Sequence, residues 1–243
     1  MTSNPKVALI AGVGDGLGGA IARRFAREGY AAVMVARNAE RLTRIAEEIE
    51  GAGGRGIAYV ADLREETAVS KLFEDVENEL GPIAIVVFNA GANYRNSILD
   101  TPAQTFESIW RLSCYAGFLV GREAARHMVP RGQGTLIFTG ATASLRGSSH
   151  FAAFASAKGA LRQLAQSMAR ELGSKGIHVA SVIIDGVIDS PRMREHYPER
   201  MAQLPEHGAL KPEHIAKAYW DLHCQPRDAW TFEVDLRPWV ERF

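Results

Sequence analysis

The chain has 243 residues, 47% hydrophobic and 23% charged, a composition ordinary for a globular protein with one large buried core. Its 28 basic and 28 acidic residues give a formal net charge of zero, which excludes a strong overall field for nucleic acid or an acidic membrane surface, so we expect neither as a partner. The cysteines Cys114 and Cys224 fit no disulfide or metal spacing, so we expect no metal site and a cytoplasmic location.

Short apolar runs alternate with longer amphipathic segments along the chain. Residues 1–6 run directly into the first strand pattern, which leaves no room for a signal peptide. The spacing predicts strands at 7–11, 31–36, 56–60, 83–88, 135–139 and 178–184. It predicts helices at 17–28, 39–50, 67–79, 102–128 and 151–172.

Several of these strands are apolar throughout, as in parallel sheets that are covered on both faces. None is long enough to span a bilayer. Sustained strand–helix alternation predicts one α/β domain over residues 1–243, of Rossmann type, with a doubly wound parallel sheet and helices on both faces. Residues 189–212 form the longest irregular stretch, in a place where such folds put a substrate lid.

A glycine-rich turn follows the first predicted strand and opens the first predicted helix. Because glycine has no side chain, a dinucleotide pyrophosphate can come close to the backbone N–H groups of such a turn. The sequence therefore predicts nucleotide binding by this turn, the alternative being a turn that binds nothing. The binding residues would be Gly12, Gly14, Asp15, Gly16, Leu17 and Gly18.

Arg37 follows the second predicted strand, where an acidic residue would select NAD and an arginine can pair with the 2′-phosphate of NADP. Arg37, with help from Arg41, therefore favours NADPH over NADH. Asp15 opposes this preference, because its carboxylate would repel the phosphate. The alternative for Arg37 is a solvated surface charge.

These residues resemble the short-chain dehydrogenase/reductase family over almost the whole chain. The matching elements are the turn Gly12-x-x-x-Gly16-x-Gly18, Asp62, Asn89-Ala90-Gly91, Phe154-x-x-x-Lys158 and Asp185-Gly186-x-x-x-Ser190. The last two stand where the family has Tyr-x-x-x-Lys and Pro-Gly-x-x-x-Thr. The resemblance implies hydride transfer between a nicotinamide and a small carbonyl or alcohol. It also implies that the cofactor contacts Asp62, Leu63, Asn89, Ala90, Gly91, Lys158 and Ile188.

The resemblance fails at the catalytic positions. In the family a tyrosine exchanges the substrate proton, a lysine lowers the tyrosine pKa and binds ribose, a serine orients substrate, and an asparagine holds a relay water. Phe154 stands in place of the tyrosine and has no hydroxyl, Ala141 replaces the serine, and Ser113 replaces the asparagine. Lys158 remains, one helical turn from Phe154.

Another group would then have to carry the proton. Tyr94 is the favoured side chain, because its loop faces the nicotinamide in the family, and a water positioned by Lys158 is a second route. Other side chains bordering the family's cleft are Tyr115, Thr142, Ser144 and His150. Tyr115 is better explained as a core or subunit-contact residue, and His150 as a solvated loop residue.

Two functions stay open at this stage. One is an oxidoreductase with an altered proton path, acting on a carbonyl, an alcohol or an activated alkene. The other is a catalytically silent NADP(H)-binding sensor or partner subunit. We expect the enzyme, since fold and cofactor site are retained. In resembling proteins the helices predicted at 102–128 and 151–172 pair across a two-fold axis, so we expect a homodimer or homotetramer.

Overall fold

The computed structural model describes residues 6–242, so most of the segment on which the signal-peptide expectation rests lies outside the described residues. Its centre is a parallel sheet of seven strands in the order β3-β2-β1-β4-β5-β6-β7. The strands are β1 Val7–Ala11, β2 Ala31–Ala36, β3 Arg55–Val60, β4 Ile83–Phe88, β5 Gly134–Ala141, β6 Ile177–Ile184 and β7 Glu233–Leu236. The strand order reverses between β1 and β4, which opens a crevice at their carboxyl ends.

Helices connect these strands and cover the sheet. They are α1 Leu17–Arg27, α2 Ala39–Gly51, α3 Glu66–Leu80, α4 Ala103–Trp110, α5 Ala116–Met128, α6 Ala152–Leu172, α7 Pro191–His196, α8 Pro198–Ala202 and α9 Pro212–His223. The doubly wound parallel sheet with helices on both faces is as predicted. No helix within residues 6–242 is long and apolar enough to cross a bilayer.

Two hydrophobic cores form because successive strand residues point to opposite faces of the sheet. In β1, Leu9 belongs to the core beneath α3, α5 and α6, whereas Ile10 belongs to the core beneath α1, α2 and α9. Both residues are completely buried. A strand covered on both faces has no solvent side to mark with polar residues, which explains its uniformly apolar sequence.

The structure corrects three sequence-based assignments. The helix predicted at 102–128 is interrupted, because a π-helical turn, Arg111–Tyr115, lies between α4 and α5. The stretch 189–212 is not wholly irregular, since it contains α7 and α8. Neither α9 nor the edge strand β7 was predicted.

Candidate functional site

The glycine turn after β1 is packed too closely to admit side chains at two positions. Gly12 has φ +99°, and a Cβ there would lie 2.5 Å from the backbone nitrogen of Ala90. A Cβ on Gly18 would lie 2.6 Å from the carbonyl oxygen of Gly12. Asn89 fixes the same contact, because its Nδ2 donates to the Gly12 carbonyl oxygen at 2.9 Å. The turn is therefore held rigidly against the loop that follows β4.

The outer side of the turn is open. A Cβ on Gly14 would meet nothing within 4 Å. Gly16 is the N-cap of α1 and has no side chain to satisfy the first N–H groups of that helix. Leu17, the first residue of α1, is buried. Free N–H groups and the positive end of the helix dipole make this opening suited to a phosphate group.

Asp15 is not a free carboxylate beside that opening. It pairs with the guanidinium groups of Arg44 and of Arg41, the latter with Nε 3.2 Å from Asp15 Oδ2. The sequence-based objection that Asp15 would repel a phosphate is therefore weakened, since its charge is balanced. Arg41 is correspondingly engaged with Asp15 in this structure.

Arg37 is exposed just beyond β2, and its side chain donates no hydrogen bond within the described residues. Nearby, Asp62 follows β3 and is held by Arg64, whose Nε lies 2.9 Å from Asp62 Oδ1. The Arg64 guanidinium lowers the pKa of Asp62 to about 2, so Asp62 is ionised at neutral pH. Leu63 is buried and packs in the core beside the sheet.

Lys158 lies on the inner face of α6 and is 5% exposed. Its Nζ donates to the carbonyl oxygen of Thr139 on β5 at 2.7 Å. Burial lowers the pKa of Lys158 to about 8, because removal from water disfavours the charged ammonium.

Gly91, in the loop that follows β4, brings Lys158 and Ser113 together. A Cβ on Gly91 would lie 3.2 Å from Lys158 Nζ and 3.5 Å from Ser113 Oγ. Ser113 lies in the π-helical turn, is completely buried, and its Oγ has no hydrogen-bond partner within the described residues. A π-helical turn often marks a functional position, and an unpaired buried hydroxyl is costly unless a ligand or water satisfies it.

The remaining predicted catalytic positions border the same region. Phe154 is partly buried on α6, one turn before Lys158. Ala141 ends β5, and its N–H donates to Ser144 Oγ at 3.0 Å. The Ser144 oxygen thereby accepts a hydrogen bond from the backbone of its own turn. Thr142 instead donates to the carboxylate of Asp185 at the end of β6.

Asp185 is a buried carboxylate beside this turn that sequence reasoning did not single out as a candidate group. It was noted only as a departure from the family's proline, although an acidic residue at that position was itself a signal. Asp185 is 2% exposed, and Arg237 Nη2 lies 4.0 Å from its Oδ2. Its link to Thr142 depends on the pairing of β5 with β6, which no local sequence pattern reveals.

Tyr94 lies on the loop after β4 and lines a cavity of 430 Å³ together with residues of α4 such as Ser108 and Ile109. It also packs beside Ala153 and Ala157 of α6. Its hydroxyl accepts a hydrogen bond from Asn96 Nδ2 at 3.0 Å, which leaves the phenolic proton available. Tyr94 therefore lies between the loop after β4 and the first turns of α6, the helix that carries Lys158.

Two other candidate side chains are placed less favourably. Tyr115 lies in the π-helical turn, packs against the core, and has the Arg111 guanidinium 5.3 Å from its ring centroid. His150 is exposed with φ +69°, and its backbone oxygen accepts from the Asn96 N–H at 2.8 Å. That bond joins the loop after β4 to the loop after β5.

Residues after β6 pass over the glycine turn. Ser190 comes close enough that a Cβ on Gly16 would lie 3.2 Å from the Ser190 Cβ. Ile188 forms a parallel bridge with Leu210, so the two ends of 189–212 are held together. Within residues 6–242, no group of three or more His, Cys, Asp or Glu side chains could hold a metal ion.

Comparison with known proteins adds to this geometry. The profile of a family described as short chain dehydrogenase matches residues 6–201. A short-chain dehydrogenase/reductase of Armillaria gallica is 33% identical over 214 residues, which cover 87% of this chain and 80% of that protein. The 7alpha-hydroxysteroid dehydrogenase of Escherichia coli strain K12 is 28% identical, with 93% of this chain and 89% of that protein covered.

Solved structures show the same similarity. A short-chain dehydrogenase from Rhodopseudomonas palustris superposes with a TM-score of 0.83 at 44% identity, covering 96% of this chain and 99% of that one. The actinorhodin polyketide ketoreductase, in a single-substitution form with NADPH, has a TM-score of 0.90 at 23% identity and covers 100% and 99% of the two chains. At that identity the second similarity concerns the fold alone.

Proposed function

The chain belongs to the short-chain dehydrogenase family, and from this premise we propose that it is an NAD(P)(H)-dependent oxidoreductase. It transfers hydride to or from a small carbonyl, alcohol or activated alkene. Its proton path differs from that of the family, because Phe154 occupies the place of the catalytic tyrosine and offers no hydroxyl.

The observation that carries this proposal is the buried amino group of Lys158 beside Gly91 and Ser113. Lys158 is buried and forms no ion pair within residues 6–242. Burial of an unpaired ammonium reduces the stability of the fold, and such a loss of stability is characteristic of functional sites. In the family this lysine binds the nicotinamide ribose, a role that does not require the tyrosine.

The glycine turn fits the cofactor. Gly12 and Gly18 allow no side chain, while Gly14 opens outward above the first turn of α1, as a pyrophosphate requires. The bound dinucleotide supplies the hydride donor or acceptor. Arg37 is placed to pair with a 2′-phosphate, so NADPH is preferred to NADH. The other cofactor contacts are those expected from the family, at Asp62, Leu63, Asn89, Ala90, Gly91 and Ile188.

Loss of the tyrosine leaves turnover within reach. General acid–base assistance contributes ~10²–10⁴-fold, a part of the whole rate enhancement. Tyr94, whose phenolic proton is available, is one substitute donor. A water held between Lys158 Nζ and the unpaired Ser113 Oγ is a second substitute donor. Tyr94 and this water position lie at the same end of the sheet.

Two further features complete the proposal. The segment 189–212 acts as the substrate lid of a single domain, because its ends are fixed at the Ile188–Leu210 bridge and it passes over the glycine turn.

The exposed aromatic residues Phe106, Trp110 and Phe118 on α4 and α5 support a homodimer or homotetramer through this face. A cytoplasmic location stays a prediction.

The test combines cofactor affinity with turnover. Binding of NADPH and NADH is measured by calorimetry, and NADPH consumption is followed against a panel of ketones, aldehydes, enones and quinones. We expect tight NADPH binding and turnover of at least one class. Tight NADPH binding without turnover of any compound in the panel would contradict the enzyme and favour the silent sensor or partner subunit.

A further inference from the structure

A carboxylate is buried directly beside the position of the missing serine. Asp185 follows β6 by one residue, and its backbone N–H donates to the Leu236 carbonyl oxygen at 2.8 Å. Its neighbour across the sheet is Thr142, since Ala141 is paired with Ile184 in the β5–β6 register. Burial of a carboxylate is unfavourable unless its oxygens are paired. Here Thr142 pairs with Oδ1, and Arg237 lies 4.0 Å from Oδ2.

The direction of the Thr142–Asp185 hydrogen bond determines what Thr142 can do. An ionised carboxylate only accepts, so the Thr142 hydroxyl donates its proton to Asp185. The lone pairs of Thr142 Oγ1 then remain free to accept a second hydrogen bond. Thr142 is partly buried and Asp185 is 2% exposed, so the hydroxyl is the more accessible end of the pair.

The position of this pair relates it to Lys158. Lys158 donates to the Thr139 carbonyl oxygen, and Thr142 follows on the same stretch of chain as it leaves β5. Between them is Ala141, which stands where the family has its substrate-orienting serine. Ser144, the other hydroxyl of this turn, accepts from the Ala141 N–H and is 9% exposed, whereas Thr142 is only partly buried. Thr142 is therefore the more accessible hydroxyl of this turn.

We propose that Thr142 and Asp185, in preference to Tyr94 or a water beside Ser113, form the proton relay that replaces the tyrosine. During oxidation of an alcohol, the substrate hydroxyl proton moves to Thr142 Oγ1 while the proton of Thr142 moves to Asp185 Oδ1. A bound oxidised nicotinamide dinucleotide would accept the hydride as the carbinol C–H bond breaks and the C=O bond forms. In the reduction all three transfers reverse. Thr142 is the catalytic residue, and Asp185 acts through it.

This relay rests on the proposed oxidoreductase function and specifies its proton path. Thr142→Val removes the hydroxyl at nearly constant volume, and Thr142→Ser retains it. Asp185→Asn removes the proton acceptor at constant size, and Asp185→Glu retains a carboxylate. All four variants are assayed for alcohol oxidation with saturating NADP⁺, using the alcohol that corresponds to the best ketone or aldehyde substrate in the panel. NADPH affinity and the unfolding temperature are measured alongside.

We expect Thr142→Val and Asp185→Asn to lower kcat by ~10²-fold or more, the scale of general acid–base assistance. KM and NADPH affinity should change little, and Thr142→Ser and Asp185→Glu should recover part of kcat. Phe154→Tyr added to Thr142→Val should also recover turnover, because it provides a separate hydroxyl one turn from Lys158.

Several results would overturn the relay. One is an unchanged kcat in Thr142→Val or, if that variant does not fold, in Asp185→Asn. Another is a parallel loss of kcat, NADPH affinity and unfolding temperature with no recovery in Thr142→Ser or Asp185→Glu, which would make the pair a structural anchor. If the starting protein is inactive and Phe154→Tyr is active, the relay is wrong while the oxidoreductase site stands. If neither turns over any substrate, the proposed function fails as well.

Discussion

Lys158 Nζ and Ser113 Oγ converge on Gly91 from different helical segments, at 3.2 and 3.5 Å from where a Cβ on that glycine would lie. The backbone after β4, the π-helical turn and α6 therefore meet at one point. Substitution at Gly91 tests whether this point is used by the cofactor.

Gly91→Ala should displace the Lys158 amino group, because its Nζ is the flexible end of a side chain whereas the backbone of the preceding residue, Ala90, is fixed against Gly12. We expect NADPH affinity to fall by ~10-fold or more, the equivalent of one charged hydrogen bond. Calorimetric titration checks this. Gly159→Ala is the matched control, because a Cβ there meets nothing within 4 Å and should leave affinity unchanged. Equal affinities for all three proteins would contradict a ribose-binding role for Lys158.

Burial of Lys158 should appear in the pH dependence of stability. Its pKa falls from an ordinary 10.5 to about 8, so the unfolded chain binds more protons than the folded protein between those values. The free energy of unfolding therefore increases as pH rises from about 8 to 10.5, and this increase is absent below pH 8. Relative to Lys158→Met, the cofactor-free protein should gain about 3 kcal/mol over that range. Urea unfolding of both proteins at several pH values measures this, and parallel curves would show that the ammonium carries no burial penalty.

The Arg37 side chain should determine cofactor choice. Arg37→Asp removes a cation from beside the 2′-phosphate position and introduces repulsion, so NADPH affinity should fall by ~10–100-fold while NADH binding is retained or improved. Arg55→Asp is the control. Arg55 is also exposed, but it begins β3, whereas Arg37 follows the end of the neighbouring strand β2. If Arg37→Asp and Arg55→Asp weaken NADPH equally, Arg37 does not contact the phosphate.

Restoring the family's hydroxyls should increase turnover of simple carbonyls. Phe154→Tyr places a phenol one turn from Lys158, and Ala141→Ser adds a hydroxyl at the end of β5. Groups that act as a unit are non-additive, so the double variant should exceed the product of the single effects and raise kcat by ~10²-fold or more. Steady-state assays with NADPH check this. A double variant that binds NADPH normally and reduces nothing new would show that the pocket is built for other chemistry.

Assembly should depend on the aromatic face of α4 and α5. Trp110→Glu combined with Phe118→Glu places charges within the proposed contact, and we expect the light-scattering mass to fall to that of one chain. Val60→Glu is the control, because Val60 is also an exposed apolar residue but lies away from these helices. A starting protein that is already monomeric at micromolar concentration would contradict the oligomer.

The central strands and the glycine turn could be predicted because their signals are local. Strand β1 is apolar throughout, and Gly12–Gly18 sits between a strand and a helix. Strand β7 offers only four residues of partial alternation at the sheet edge. Helix α9 had a usable signal, since its buried residues Ile215, Tyr219 and Leu222 follow helical spacing.

The candidate site was only partly accessible to sequence reasoning. Motif spacing indicated Lys158 and the loss of the tyrosine, because those residues share one helix. No spacing joins Thr142 to Asp185 or Asp15 to Arg44, since these pairs arise from strand register and from the packing of α2 beside the turn. The π-helical turn at Ser113 likewise has no periodic signature that would separate it from a regular helix.

The bridge between Ile188 and Leu210 closes the segment that follows β6 into a loop with a single base. Leu210 exchanges backbone hydrogen bonds with Val187 and Asp189, each at 2.8 Å, so both ends of the segment are fixed at one place. Residues between those ends can then change in length or sequence without altering the strands that hold the cofactor site. Transplanting the corresponding segment from a relative onto this bridge offers a route to new substrate preferences on an unchanged scaffold.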